Sequence, residues 1–184
     1  MTFLRKIYIY LIVCFLTVGC SVKNQHKNDI ISSPHPLASQ AGKDMFSIGG
    51  NAFDAAVAAA FTLSVVEPSM SGIGGRLLVI YIVAGGDIFG IDATTQIPES
   101  FKTEDEELPS YGYSTIGIPG VVAGLIKLHE ENGILDLKTV MEPSISLAED
   151  GFYLYPGEIK RQQSDKEKIE SFEGTKIYLS LIHI

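Results

Sequence analysis

The chain of 184 residues has no tryptophan, only two cysteines, and a shortage of basic residues: 14 Lys and Arg against 22 Asp and Glu. Each shortage excludes something, except that the missing tryptophan says little at this length. Nucleic-acid binding depends on Lys and Arg that neutralise phosphates, and no basic stripe is present to supply them. With Cys14 and Cys20 as the whole cysteine complement, zinc fingers and CxxC redox chemistry are ruled out. The longest apolar run, Ile7 to Val18, falls short of the roughly 20 residues that cross a bilayer core. What is present is ordinary globular material: 46% hydrophobic and 20% charged residues argue against wholesale disorder.

The short apolar run has another reading. Arg5 and Lys6 precede it as a positive region and Gly19-Cys20 follow at once, which fits a secretory signal. Leu16-Thr17-Val18-Gly19-Cys20 further resembles a bacterial lipobox, with Thr17 where a leucine is usual. Residues 1–19 are therefore expected to be removed, leaving Cys20 acylated and the protein exported, periplasmic or outer-surface, as a membrane-anchored lipoprotein. A plain cleaved signal with a secreted product is the alternative. The cysteine count favours acylation: Cys14 would leave with the signal, so Cys20 would have no disulfide partner. Losing Arg5 and Lys6 with no acidic residue takes the formal charge from −8 to −10.

Residues 20–31 are polar and read as a tether. From there the pattern is that of a folded domain, residues 32–179. A helix is expected after Pro34-His35-Pro36, with Leu37, Ala41, Met45 and Ile48 on one face and Gly49-Gly50 as its stop. Asn51 is placed to cap a second helix, Ala52 to Val66, which is apolar on nearly every side and so belongs inside a larger body. Glu67-Pro68 ends it. A glycine-rich turn, Ser71 to Gly75, leads to Leu77–Val83, expected to be a buried strand, and Gly85-Gly86-Asp87 turns the chain back through Ile88–Ile91 as a hairpin. Gly117-Ile118-Pro119-Gly120 precedes a helix carrying Val122, Leu125, Ile126 and His129 along one side, with Gly133 as its stop. A further helix from Leu137 is expected to be interrupted at Pro143 and ended by Gly151. Beyond Glu158 the chain is charged and weakly periodic. Residues 180–184, SLIHI, have the look of a non-native tail.

Several blocks occur together in a specific order: His35-Pro36-Leu37-Ala38-Ser39; Gly49-Gly50-Asn51-Ala52 with Asp54-Ala55-Ala56-Val57-Ala58; Val66-Glu67-Pro68 with Met70-Ser71-Gly72-Ile73-Gly74-Gly75; Gly117-Ile118-Pro119-Gly120 with Ala123-Gly124-Leu125; and Glu142-Pro143 with Leu147-Ala148-Glu149-Asp150-Gly151-Phe152. Over residues 31–158 the chain resembles the opening of the large subunit of the gamma-glutamyltransferase family. That resemblance implies an α+β fold, the αββα sandwich of an N-terminal nucleophile hydrolase, present as an incomplete N-terminal part. It implies a precursor that cuts itself, and an attack on gamma-glutamyl amides such as glutathione by the new N-terminal threonine of a small subunit. The acyl group then passes to water or an amino acid. The threonine lies downstream of this chain, so no catalytic residue is assigned here, and the resemblance implies no metal and no cofactor.

One departure from the family pattern bears on substrate. Where typical members read aspartate, aromatic, arginine, glutamate, with the arginine on the substrate's α-carboxylate, this chain reads Asp92-Ala93-Thr94-Thr95. Arg76 stands where the glycine-rich turn usually continues. Arg76 and Thr94, near the two ends of the expected hairpin, are therefore the candidate substrate-binding residues. Other features have plainer readings. Gly72, Gly74 and Gly75 follow a helix and precede a strand, the reverse of a dinucleotide fingerprint. His26, His35, His129 and His183 lack ligand spacing, and Asp54 is expected to satisfy neighbouring polar groups rather than to react. An acylase on the same fold and a non-catalytic surface lipoprotein remain the competing functions.

Overall fold

The computed structural model describes residues 29–99, 101 and 112–172. The expected signal, Cys20 and the expected tail lie outside these residues.

Two antiparallel helices open the fold, α1 (Pro36–Ser47) and α2 (Ala52–Val66). His35 starts α1, its Nδ1 accepting from Leu37 N. The buried face is Ala38, Ala41, Gly42 and Met45, one position round from the stripe expected from the sequence. Leu37 is only partly buried, and Ile48 is an exposed C-cap rather than a core residue. Small residues win the face because the helices approach closely: a Cβ on Gly42 would stand 2.9 Å from the Ala55 carbonyl oxygen. Gly49, at φ 94°, then makes the left-handed turn that a side chain resists.

Helix α2 is the centre of the molecule, as its composition requires. Asn51 Oδ1 accepts from Phe53 N and Asp54 N, and Asp54 Oδ2 accepts from Asn51 N at 2.8 Å, a reciprocal capping box. Ala55, Val57, Ala58, Phe61 and Val66 are buried. A four-residue helix, α3 (Pro68–Ser71), follows directly.

The strands β1 (Leu77–Ile82) and β2 (Ile88–Ala93) form a two-stranded antiparallel sheet in which Leu77 opposes Ala93 and Ile82 opposes Ile88. Leu77, Val79 and Tyr81 pack on the core with Ile91 and Ala93. The expectation of a fully buried strand is not met. Leu78, Ile80 and Ile82 point away from the helices and are exposed, Ile80 to 82%. The continuous apolar run is real, but among the described residues helices cover only one face of the pleat.

A 3₁₀ turn at Tyr113–Thr115 leads to α4 (Val121–Asn132), whose buried residues are Val121, Gly124, Leu125, Leu128 and His129. The sequence stripe named Leu125 and His129 correctly, but Val122 and Ile126 flank the contact. Helix α5 (Leu137–Asp150) runs through Pro143 without a break, contrary to expectation. Proline removes one backbone donor, and here that loss does not end the helix. Asp136 caps its start by accepting from Thr139 N, and Gly151 at φ 83° follows its end. The weakly periodic stretch after it is also helical, as α6 (Pro156–Ser164) and α7 (Lys166–Glu170).

Candidate functional site

The two candidate binding residues stand at the open end of the hairpin. The ladder ends with Leu77 opposite Ala93, so Arg76 and Thr94 are the residues next beyond it on the two strands. Arg76 is exposed and Thr94 half-buried, its amide donating to Asp92 Oδ1 at 3.1 Å. Among the described residues Arg76 has no ion-pair partner.

The glycine block before α4 is built against this end. Gly75 O accepts from both Gly120 N (3.2 Å) and Val121 N (3.3 Å), and Gln96 exchanges backbone hydrogen bonds with Ile118 at 2.8 and 3.0 Å. A Cβ on Gly120 would collide with the Ala93 carbonyl and stand 2.9 Å from Thr94 O; one on Gly124 would stand 2.6 Å from Ala93 Cβ. The glycines of the Gly-Ile-Pro-Gly block thus allow α4 to start flush against the strand end that carries Thr94.

A second polar cluster was not anticipated from the sequence. Glu158, on the first turn of α6, is 1% exposed. Its Oε2 accepts from Ser69 Oγ (2.6 Å) and from Arg161 Nη2 (2.8 Å), and its Oε1 accepts from Gln162 Nε2 (2.7 Å). Arg161 Nε also donates to Ser69 Oγ at 2.9 Å, and Nη2 lies 3.8 Å from Glu67 Oε1. Burial alone would push the Glu158 carboxyl up; the hydrogen bonds from Ser69, Gln162 and Arg161, with the arginine charge, outweigh it and hold the group below the usual carboxylate range. The local spacing of Glu158 to Arg161 and Gln162 was readable, but an i,i+3 pair alone reads as a solvated helix face.

Asp54 is a structural carboxylate, as expected. Besides Asn51 N it accepts from Ile134 N (3.1 Å) and Leu135 N (3.3 Å), and His129 Nε2 lies 3.5 Å from its Oδ1. It ties the start of α2 to the turn between α4 and α5. Among the described residues no group of His, Cys, Asp and Glu is arranged to hold a metal.

Three comparisons place this arrangement among known proteins. The profile of the family described as Gamma-glutamyltranspeptidase matches residues 38–181. The Glutathione hydrolase proenzyme of Bacillus subtilis is 37% identical over an alignment of 137 positions that covers 68% of this chain and 23% of that relative. The Acylase ACY 1 proenzyme of a Pseudomonas strain is 35% identical over an alignment of 143 positions that covers 69% of this chain and 25% of that relative. Of solved structures, the gamma-glutamyltranspeptidase of Helicobacter pylori superposes with a TM-score of 0.77 at 30% identity, covering 83% of this chain and 47% of that one. The chain therefore spans about a quarter of the length of the curated relatives it matches. The mixed helix-and-sheet fold agrees with the αββα class expected from the sequence blocks.

Proposed function

Because this chain belongs to the gamma-glutamyltranspeptidase family, we propose that the intact protein hydrolyses or transfers gamma-glutamyl groups of glutathione-like peptides. The match along residues 38–181 carries this reading. In this scheme the N-terminal threonine of a small subunit, outside the present chain, attacks the amide carbonyl through its hydroxyl. The threonine's own amine takes the proton. Backbone N–H groups stabilise the oxyanion, the C–N bond breaks, and the leaving amine departs with a proton. The glutamyl ester left on the enzyme then passes to water or to an acceptor amino acid. Cys20, acylated, would anchor the protein to a membrane outside the cytoplasm.

Within that scheme Arg76 takes the substrate's α-carboxylate and Thr94 borders the same place. A guanidinium meets a carboxylate with two parallel charge-assisted hydrogen bonds, which Thr94 at the usual arginine position cannot do. Their places one residue beyond the ladder on the two strands support this exchange of sides. The same threonine favours a second reading, an acylase whose substrate lacks that carboxylate; a relative named as an acylase is consistent with it.

The two readings separate in one experiment on the full-length protein. Arg76→Ala is expected to raise KM for glutathione about tenfold or more, the loss of a charge-assisted contact, while sparing an acyl amide without an α-carboxylate. Unchanged glutathione kinetics in that variant would remove the role of Arg76, and turnover of the acyl amide without turnover of glutathione by the unaltered protein would favour the acylase.

A further inference from the structure

Among the described residues, the segment that delivers Arg76 to the hairpin has almost no apolar anchorage of its own. In α3 no residue is buried, and Met70 and Ile73 are largely exposed. A Cβ built on Gly74 would meet nothing. A helix of four residues cannot hold itself, because fixing its first turn costs more than its few hydrogen bonds return. Something else must fix residues 68–76. Downstream, Gly75 O is held by Gly120 N and Val121 N. Upstream, the side-chain fastener is Ser69, gripped between Glu158 and Arg161 of α6. Arg161 also reaches Glu67, the residue that ends α2.

We infer that Glu158 is a positioning residue: through Ser69 it holds the 68–76 segment, and so Arg76, in place, with Arg161 completing the grip. This rests on the assignment of Arg76 to substrate. The geometry suits the task. Glu158 is buried and shielded from competing water, so its hydrogen bonds to Ser69 and Arg161 are stronger than a surface pair would be. Removing its charge leaves Arg161 beside a neutral amide and Ser69 without its anionic acceptor, while the packing volume is kept. The grip joins residues 89 apart in the chain, so α6 would set the geometry at the hairpin end.

The test is hydrogen exchange on the full-length protein, read at Met70 and Ser71, whose amides donate to Glu67 O, and at Gly75, whose amide donates to Gly72 O. Glu158→Gln and, separately, Ser69→Ala should speed exchange at these amides by about tenfold or more, leaving the α2 amides at their wild-type rates. The same two variants should raise KM for glutathione with kcat little changed. Unchanged exchange at the three amides would overturn the inference. So would faster exchange spread equally over α2, which would mark a general loss of stability. So would a local loosening with normal KM in a protein whose Arg76→Ala variant has raised KM. A silent Arg76→Ala variant would remove the substrate assignment instead, and the exchange rates would still decide whether Glu158 holds the segment.

Discussion

Gly120 sits where a single methyl group is expected to matter. Its Cβ would drive into the carbonyl of Ala93 and approach Thr94 O, and backbone atoms cannot swing aside as a flexible side chain can. Gly120→Ala in the full-length protein should cost about 1–3 kcal/mol of stability, the usual range for overpacking, seen as a lower denaturant midpoint. A midpoint equal to wild type would show that α4 does not seat against the strand end as described. Glu158 gives a pH signature at the same scale. Its folded pKa is depressed, so its contribution is fully present above the unfolded value of about 4.3 and is lost as pH falls through the folded value. The stability gap between wild type and Glu158→Gln should therefore be widest near neutrality and narrow in acid. A gap that widens as pH falls would mean the carboxylate is destabilised by its burial rather than held by its partners. Neither residue's role could be read from sequence alone. Gly120 was legible as a helix start, but the surface it abuts was not, and the partner of Glu158 that matters, Ser69, is far along the chain.

Among elements, α2 concentrates both the stability and the legibility. Its cap was readable from Asn51 ahead of the apolar run, while the reciprocal bond to Asp54 emerges only in the structure. Asn51 does more than cap: its Nδ2 donates to Asn132 O at 2.7 Å, tying α2 to the end of α4. Asn51→Ala should accordingly fall at or above the top of the usual cap range of about 0.5–2 kcal/mol; urea unfolding of the full-length variant measures it, and a loss of a few tenths would contradict the second tie. The hairpin was also legible, since Gly85-Gly86-Asp87 between two β-rich runs has few alternatives. Less legible was which faces these elements bury. A stripe of large residues drew attention to Leu37 and Ile48, whereas close helix approach selected Ala38 and Gly42. Likewise an unbroken apolar strand did not reveal that, among the described residues, helices would cover only one side of it.

For the molecule as a whole, that uncovered side is the informative feature. Leu78, Ile80, Ile82 and Ile88 make an exposed apolar row on the outer face of the sheet. Fully burying one such side chain is worth about 1.5–3 kcal/mol, and a domain's entire stability is about 5–15 kcal/mol. Residues 21–184 expressed alone should therefore self-associate and lack a sharp thermal transition; a soluble monomer with a cooperative two-state melt would contradict this. The same segment should release no aniline from a gamma-glutamyl anilide, since the proposed nucleophile lies outside it. The central claim is gamma-glutamyl chemistry by the intact protein, and its most direct test is glutamate release from glutathione by the purified full-length gene product. The account predicts saturable release. Saturable cleavage of an acyl amide lacking an α-carboxylate, with no glutamate freed from glutathione, would contradict it.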